Sequence, residues 1–293
     1  MKHATNGYKV FTAFNILFMI FVIVITLFPF IYMLAVSFSG NSAVLRGDVL
    51  FYPIDFTVTA YRNIMNDAQF WVGYRNTLIY TVGGTLISMA MTVACAYPLS
   101  KKQLPGRGPL LMFMVFTMYF GGGLIPFYLL VRSLHLINTV WAILVPGAIS
   151  VYNMIVMKTF FEGIPQDIEE AAQIDGLSYI ATLFKIVLPL SKPVIATITL
   201  FYAVGFWNDW FNAMIYLNSN SLYPVTLYLR NLLMGAQLAA SNGQGITSGS
   251  EAAVVPQTLQ AATVVLVTVP ILCIYPFIQK YFVKGVMLGS IKG

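Results

Sequence analysis

Glu162-Gly163-Ile164-Pro165-Gln166-Asp167-Ile168-Glu169-Glu170-Ala171-Ala172-Gln173-Ile174-Asp175-Gly176 is an acidic stretch set between two long apolar runs, and its reading decides how the chain is arranged. Pro165 suits a first helical position, where its missing N–H costs nothing. Asp167, Glu169 and Glu170 then put negative charge in the first turns, which the helix dipole favours. Gly176 can take the left-handed conformation that ends a helix, and Ser178 can cap a second helix running through Phe184 and Ile186 toward Pro189. The expectation is a short surface helix over 165–176, a tight turn, and a second helix entering the next apolar run. Ile168, Ala171, Ala172 and Asp175 fall at i, i+3, i+4 and i+7 and so share a face. The alanines let another surface approach the backbone, and flanking carboxylates can meet basic groups at its rim. A helix lying on lipid is the alternative. Such helices carry Lys and Arg on the polar face, whereas acid is repelled by anionic cytoplasmic lipid. A protein partner is the better reading.

Outside this stretch the chain is strongly apolar. Of 293 residues, 58% are hydrophobic and 9% charged, with a mean hydropathy of +0.79; soluble domains carry about 25% charged residues. Crossing a bilayer takes roughly 20 mostly apolar residues. Six stretches qualify: Phe11–Ser37, Tyr74–Ser100, Pro109–Val131, Thr139–Phe161, Val194–Leu217 and Thr258–Phe282. The first is too long for a signal peptide and has no small-residue cleavage site, so it reads as an uncleaved anchor. The expected fold class is all-α, a polytopic membrane protein of six transmembrane helices forming one domain over residues 1–293. Outer loops are expected at 38–73 and 218–257, and a cytoplasmic tail at 283–293.

Basic residues set the orientation. With the N-terminus in the cytoplasm, only Arg46, Arg62, Arg75, Arg132 and Arg230 of the 16 Lys and Arg residues lie outside. Both termini are thus expected in the cytoplasm. The net charge of +6 reflects this bias and not nucleic-acid binding, because no basic run is present. Cys95 and Cys273 lie in apolar stretches and suggest no disulfide framework. His3 and His135 lack metal-ligand company, so no metal site is expected. Pro29, Gly83-Gly84, Gly121-Gly122-Gly123, Pro146-Gly147 and Pro270 interrupt the spans. Close packing through small residues explains them, and hinges for alternating access are the other reading.

One polar cluster stands inside a span: Trp207, Asn208, Asp209, Trp210, Asn212 and Tyr216. Asp209 is the one carboxylate well within a span, and such groups are functional candidates. It lies roughly 24 Å along the helix from Pro193 at 1.5 Å per residue, in the outer part of the span. Aromatic faces beside amides suit a sugar, apolar on its ring faces and polar at its edge. An interfacial aromatic belt is the competing reading.

The string Glu170-Ala171-Ala172, three residues, Gly176, nine residues, Ile186, one residue, Leu188-Pro189 matches in types and spacing the full EAA motif of binding-protein-dependent ABC import permeases. The chain resembles the carbohydrate branch of that family, maltose-type and handling complex oligosaccharides. Gly121-Gly122-Gly123-Leu124-Ile125-Pro126, the Lys185–Pro193 stretch and the tail Tyr281–Gly293 add to the likeness. The resemblance implies a type I ABC importer permease fold in the bacterial inner membrane. It also implies a second permease subunit, two ATP-binding subunits and an extracytoplasmic sugar-binding protein. ATP and Mg would be bound by the ATPase subunits, since this chain has no Walker-type string; it carries no cofactor and no catalytic residue. Glu169, Glu170, Ala171, Ala172, Asp175, Gly176, Ile186, Leu188 and Pro189 would form the coupling segment in an ATPase cleft. Lys284, Gly285, Gly289 and Lys292 would give a second ATPase contact, and loop 218–257 would probe the binding protein. Mechanically, the coupling helix would act as a lever continuous with the fifth span through Lys185–Lys192. The Trp207–Asn212 string has no close family counterpart. Complex saccharides are implied as cargo, including acidic ones such as alginate. Few basic residues face the expected pathway, so an acidic preference would need the partner permease.

Other classes fit less well. An ion-driven transporter usually needs several intramembrane acids or histidines, and only Asp209 qualifies. An intramembrane enzyme needs a nucleophile–base pair or metal ligands. A scaffold leaves the acidic helix unexplained.

Overall fold

The computed structural model describes residues 6–241 and 254–289, whose regular structure is helical with no strand among them. Fifteen helices follow in order: α1 (Asn6–Ser37), α2 (Asn41–Arg46), α3 (Thr59–Met65), α4 (Ala68–Ser100), α5 (Arg107–Tyr119), α6 (Leu124–Ser133), α7 (Trp141–Leu144), α8 (Val151–Glu162), α9 (Gln166–Ile174), α10 (Tyr179–Thr182), α11 (Leu188–Leu190), α12 (Lys192–Trp207), α13 (Phe211–Tyr216), α14 (Val225–Ser241) and α15 (Pro256–Gly289). A π-helical turn, Leu183–Val187, joins α10 to α11. The backbone falls into two compact units, one of residues 1–67 and 231–269, the other of 68–230 and 270–293.

In the first unit, α1 carries an apolar surface open along its length, as a lipid-facing helix does. Its C-terminal turn packs Ala35 and Val36 with Ala43, Val49 and Ala261. Phe38 stacks against Phe56 and Tyr61, and the Tyr61 hydroxyl donates to Ser37 Oγ at 2.8 Å.

The second unit is organised around α4, which packs along α12 and α8. Tyr80, Ala96, Met154, Met157, Ile198 and Phe206 fill the space between these helices. At Gly84 the Phe206 ring lies against the bare Cα, where a Cβ would meet Phe206 Cζ at 2.5 Å. Buried hydroxyls pair within the bundle: Thr92 Oγ1 and Tyr202 Oη are 2.7 Å apart, and Tyr202 Oη also accepts Ser150 N–H at 3.0 Å.

The first end of α4 grips a connecting strap. Asn76 Nδ2 donates to Ser221 O at 2.7 Å and Tyr223 O at 3.1 Å, and Tyr80 Oη donates to Leu222 O at 2.7 Å. Thr77 Oγ1 accepts Val225 N–H at 2.8 Å. Thr77→Val keeps the shape and strands that buried N–H, a loss of about 1–3 kcal/mol. Detergent-solubilised variant protein should unfold at lower temperature, and an unchanged midpoint would contradict the assignment.

The six apolar stretches do not form six unbroken helices. Among the described residues three helices are long and apolar enough to cross a membrane, Gly7–Ser37, Ala68–Ser100 and Pro256–Cys273, and up to five spans result if each of two bent pairs is one span. The glycine run ends α5, and α6 leaves at 113°. Tyr179–Leu190 meets α12 at 85°, so the expected continuity through Lys185–Lys192 is a sharp bend where Ser191 and Pro193 fall. Pro146-Gly147 lies in the break between α7 and α8, and the 12-residue α8 spans about 18 Å. The stretch 194–217 likewise stops at Trp207 and resumes as α13.

Candidate coupling site

Helix α9 begins after Pro165, which stands just outside it as the capping residue with φ −55° and ψ 130°. It closes as the sequence suggests. Gly176, at φ +79°, donates to Gln173 O at 3.0 Å, and Leu177 N–H donates to Ala172 O at 2.9 Å, the paired bonds of a Schellman termination. Ser178 Oγ then accepts Ala181 N–H at 3.3 Å and starts α10.

The outward face of α9 is Asp167, Glu170, Ala171 and Ile174, again at i, i+3, i+4 and i+7. This is a correction. Ala172, expected to face a partner, is buried against its own chain at 4% exposure, as is Glu169 at 7%. Ile174, absent from the expected face, is 86% exposed. Asp175 and Ile168, both of the expected face, are exposed. Glu170 is held by Gln166 Nε2 at 2.7 Å and keeps its exposure.

Glu169 turns inward because Lys101, at the end of α4, supplies a charge for it: both Glu169 oxygens accept from the Lys101 ammonium. That ammonium also lies 4.3 Å from the centre of the Tyr97 ring, a cation–π contact on the other side. A second set of charges works beside it. Glu162, closing α8, pairs with Arg107 and, at 2.9 Å, with Lys158, while Arg107 Nε donates to Leu99 O at 2.8 Å. The α4–α5 turn and the α8–α9 turn are therefore ionically cross-tied. A polar cavity of about 630 Å³ lies between them, lined by Lys101, Lys102, Gln103, Gln166, Glu169 and Glu170 among others. Ile186 lies in the π turn and Leu188 and Pro189 in α11; Pro189 is exposed and the other two partly buried.

The second candidate cluster lies near the opposite end of α4. Trp207 is buried and meets Tyr74 edge to face, centroids 6.1 Å apart. Tyr216 is buried and stacks on Tyr128 at 6.2 Å. Neither offers a face to a ligand. Asp209 caps α13: its Oδ1 accepts Asn212 N–H at 3.1 Å and its Oδ2 accepts Asn212 Nδ2 at 2.9 Å. Asn208, Trp210 and Asn212 remain exposed. Arg230, expected in an outer loop, stacks on Trp210.

No cluster of three or more metal-binding side chains occurs among the described residues. Lys284, Gly285 and Gly289 lie within α15, which runs on into the expected tail; Lys292 and residues 242–253 of the expected outer loop fall outside the described residues.

These features describe a helical protein with several apolar helices long enough to cross a membrane and an acidic helix exposed beyond the C-terminal end of α4. Residues 5–288 match the family described as binding-protein-dependent transport system inner membrane component, and the chain belongs to that family. It is a transport permease subunit and not an enzyme. Protein LplC of Bacillus subtilis is 42% identical over 99% of this chain and 98% of its own. The polygalacturonan/rhamnogalacturonan transport system permease protein YtcP of the same organism is 42% identical over 94% and 96%. A crystal structure of a bacterial ABC transporter involved in the import of the acidic polysaccharide alginate contains a chain with TM-score 0.85 and 33% identity, covering 96% of this chain and 100% of that one. The fold is that of a type I importer permease.

Proposed function

We propose that this chain is one of two permease subunits of an ATP-driven importer. It admits an oligosaccharide delivered by an extracytoplasmic binding protein, with both termini in the cytoplasm. Separate ATPase subunits bind ATP and Mg, and one of them receives α9. The observation that carries this reading is the exposed face Asp167, Glu170, Ala171 and Ile174. An isoleucine open to water beside an alanine is suited to a shallow apolar cleft, and the two carboxylates to a basic rim. The relatives' names, a polygalacturonan/rhamnogalacturonan permease and an alginate importer, support a saccharide cargo. Lys284, Gly285, Gly289 and Lys292 are proposed as the second ATPase contact. Asn208, Trp210 and Asn212 are the residues of the α12–α13 break left to meet cargo.

In this mechanism ATP draws the ATPase subunits together and each carries its docked helix inward. Force enters the bundle at α4 through Lys101–Glu169 and at α12 through the Ser191 bend. Linkage requires that loaded binding protein and ATP favour each other's state by equal free energies.

The transporter purified with its native neighbours should contain an ATPase pair and a second permease, and loaded binding protein should stimulate its ATPase activity. A preparation without ATPase subunits would overturn the reading. Gly176→Leu tests the lever in the same assembly. A side chain in the left-handed region costs about 1–2 kcal/mol, which re-aims the turn although nothing crowds it. Uptake per ATP hydrolysed should fall about 5- to 30-fold while the protein still reaches the membrane. Near-normal coupling would count against it.

A further inference from the structure

We propose that Arg230, stacked on Trp210, forms a carboxylate-recognition point for uronic-acid units of the transported saccharide. The proposal rests on the importer reading and adds the chemical class of the cargo. Its basis is an arginine whose hydrogen-bonding capacity is largely unspent.

The Arg230 guanidinium carbon lies 4.4 Å from the centre of the Trp210 ring. Its Nη1 donates to Met214 Sδ at 3.4 Å, a weak acceptor. A guanidinium has five N–H donors in a planar fork. The ion pairs among the described residues join Arg46 with Asp48, Lys101 with Glu169, and Glu162 with both Arg107 and Lys158. Arg230 is in none of them. Asp209, adjacent to Trp210 in sequence, has both oxygens engaged by Asn212. The cation is thus fixed in direction by the indole and carries no carboxylate of its own.

The surroundings match a saccharide that carries a uronate. Its carboxylate fits the guanidinium fork, the geometry for which arginine is suited where lysine is not. The indole face away from Arg230 is left for the apolar ring face of an adjacent sugar unit, Trp210 being 36% exposed. The saccharide's hydroxyl edge suits the exposed amides of Asn208 and Asn212. A neutral hexose would use the indole and amides and leave the guanidinium without a partner. Arg230 thereby supplies, within this chain, a basic group for an acidic cargo that would otherwise have to come from a partner permease. An arginine that merely anchors the protein at the membrane edge would give the same stacking but no preference between cargoes.

The test uses the complete transporter, with partner permease, ATPase subunits and binding protein, in proteoliposomes. The probes are trigalacturonate and its neutral methyl ester, and the readout is the ratio of acid to ester uptake. A charge-assisted hydrogen bond contributes enough that Arg230→Gln should lower this ratio about 10-fold or more, and Arg230→Lys should lower it less. Equal loss of both probes would overturn the proposal in favour of a packing or anchoring role, and so would an unchanged ratio. Wild-type transporter that moves the ester but not the acid would overturn it while leaving the importer reading intact. Wild-type transporter that moves neither probe, and whose ATPase does not respond to loaded binding protein, would remove both.

Discussion

Glu169→Lys is expected to lower ATP-coupled uptake about a hundredfold, and adding Lys101→Glu is expected to restore most of it. The single change leaves Lys101 facing another cation beside a mostly buried site, with its ammonium still over the Tyr97 ring. Removing one partner of a buried pair costs about 3–5 kcal/mol, and each 1.4 kcal/mol is a factor of about ten in an equilibrium. That free energy holds α9 against the end of α4, so its loss would free the helix from the bundle that the proposed lever moves. The exchanged pair re-forms the contact with its polarity reversed. Uptake and ATPase activity measured together distinguish the outcomes: the single variant should hydrolyse ATP without transport. A double variant no better than either single one would show that the pair does not hold the lever.

The second large effect is expected at two neighbouring glycines that behave oppositely. A Cβ on Gly84 would come within 2.5–2.6 Å of three Phe206 ring carbons, whereas one on Gly83 would meet Leu144 methyls at 3.7 and 3.9 Å, an ordinary contact. Gly84→Ala therefore forces α4 and α12 apart or the ring off its rotamer, at a cost of about 1–3 kcal/mol, and Gly84→Leu costs more. Gly83→Ala keeps its contacts and gains about 0.5–1 kcal/mol from helix propensity. Thermal unfolding in detergent should rank Gly83→Ala at or above wild type and both Gly84 variants well below. Phe206→Leu in the Gly84→Ala background should recover part of the loss. Equal midpoints for the two alanine variants would mean that the helices do not pack at Gly84 as described.

Hydropathy made the helical, membrane-spanning character legible, because composition alone requires it. The helix breaks were legible only as breakers: Gly121–Gly123 and Pro146-Gly147 were visible, but a 113° turn and a 12-residue remnant depend on tertiary packing. In α9 the start, stop and following cap were readable from Pro165, Gly176 and Ser178, because caps are local. Its facing was not. The expected face was off by about one residue because the partner of Glu169 is Lys101, 68 positions away, and periodicity cannot show which carboxylate has a cation waiting. Asp209 had a local signal: Asp is a residue type favoured at helix starts, and its carboxylate accepts an N–H of the first turn of α13. Arg230 on Trp210 had none.

The hold that Asn76, Thr77 and Tyr80 keep on residues 221–225 and the hold that Lys101 keeps on Glu169 belong to one rod. Between these two grips α4 runs about 35 Å at 1.5 Å per residue. A helix resists stretching because every turn is tied to the next, so a tug on the strap arrives at the acidic helix with little slack. Cargo arrival on one side of the bilayer and engine engagement on the other would then be two ends of the same tow-bar, with no relay of side chains needed between them.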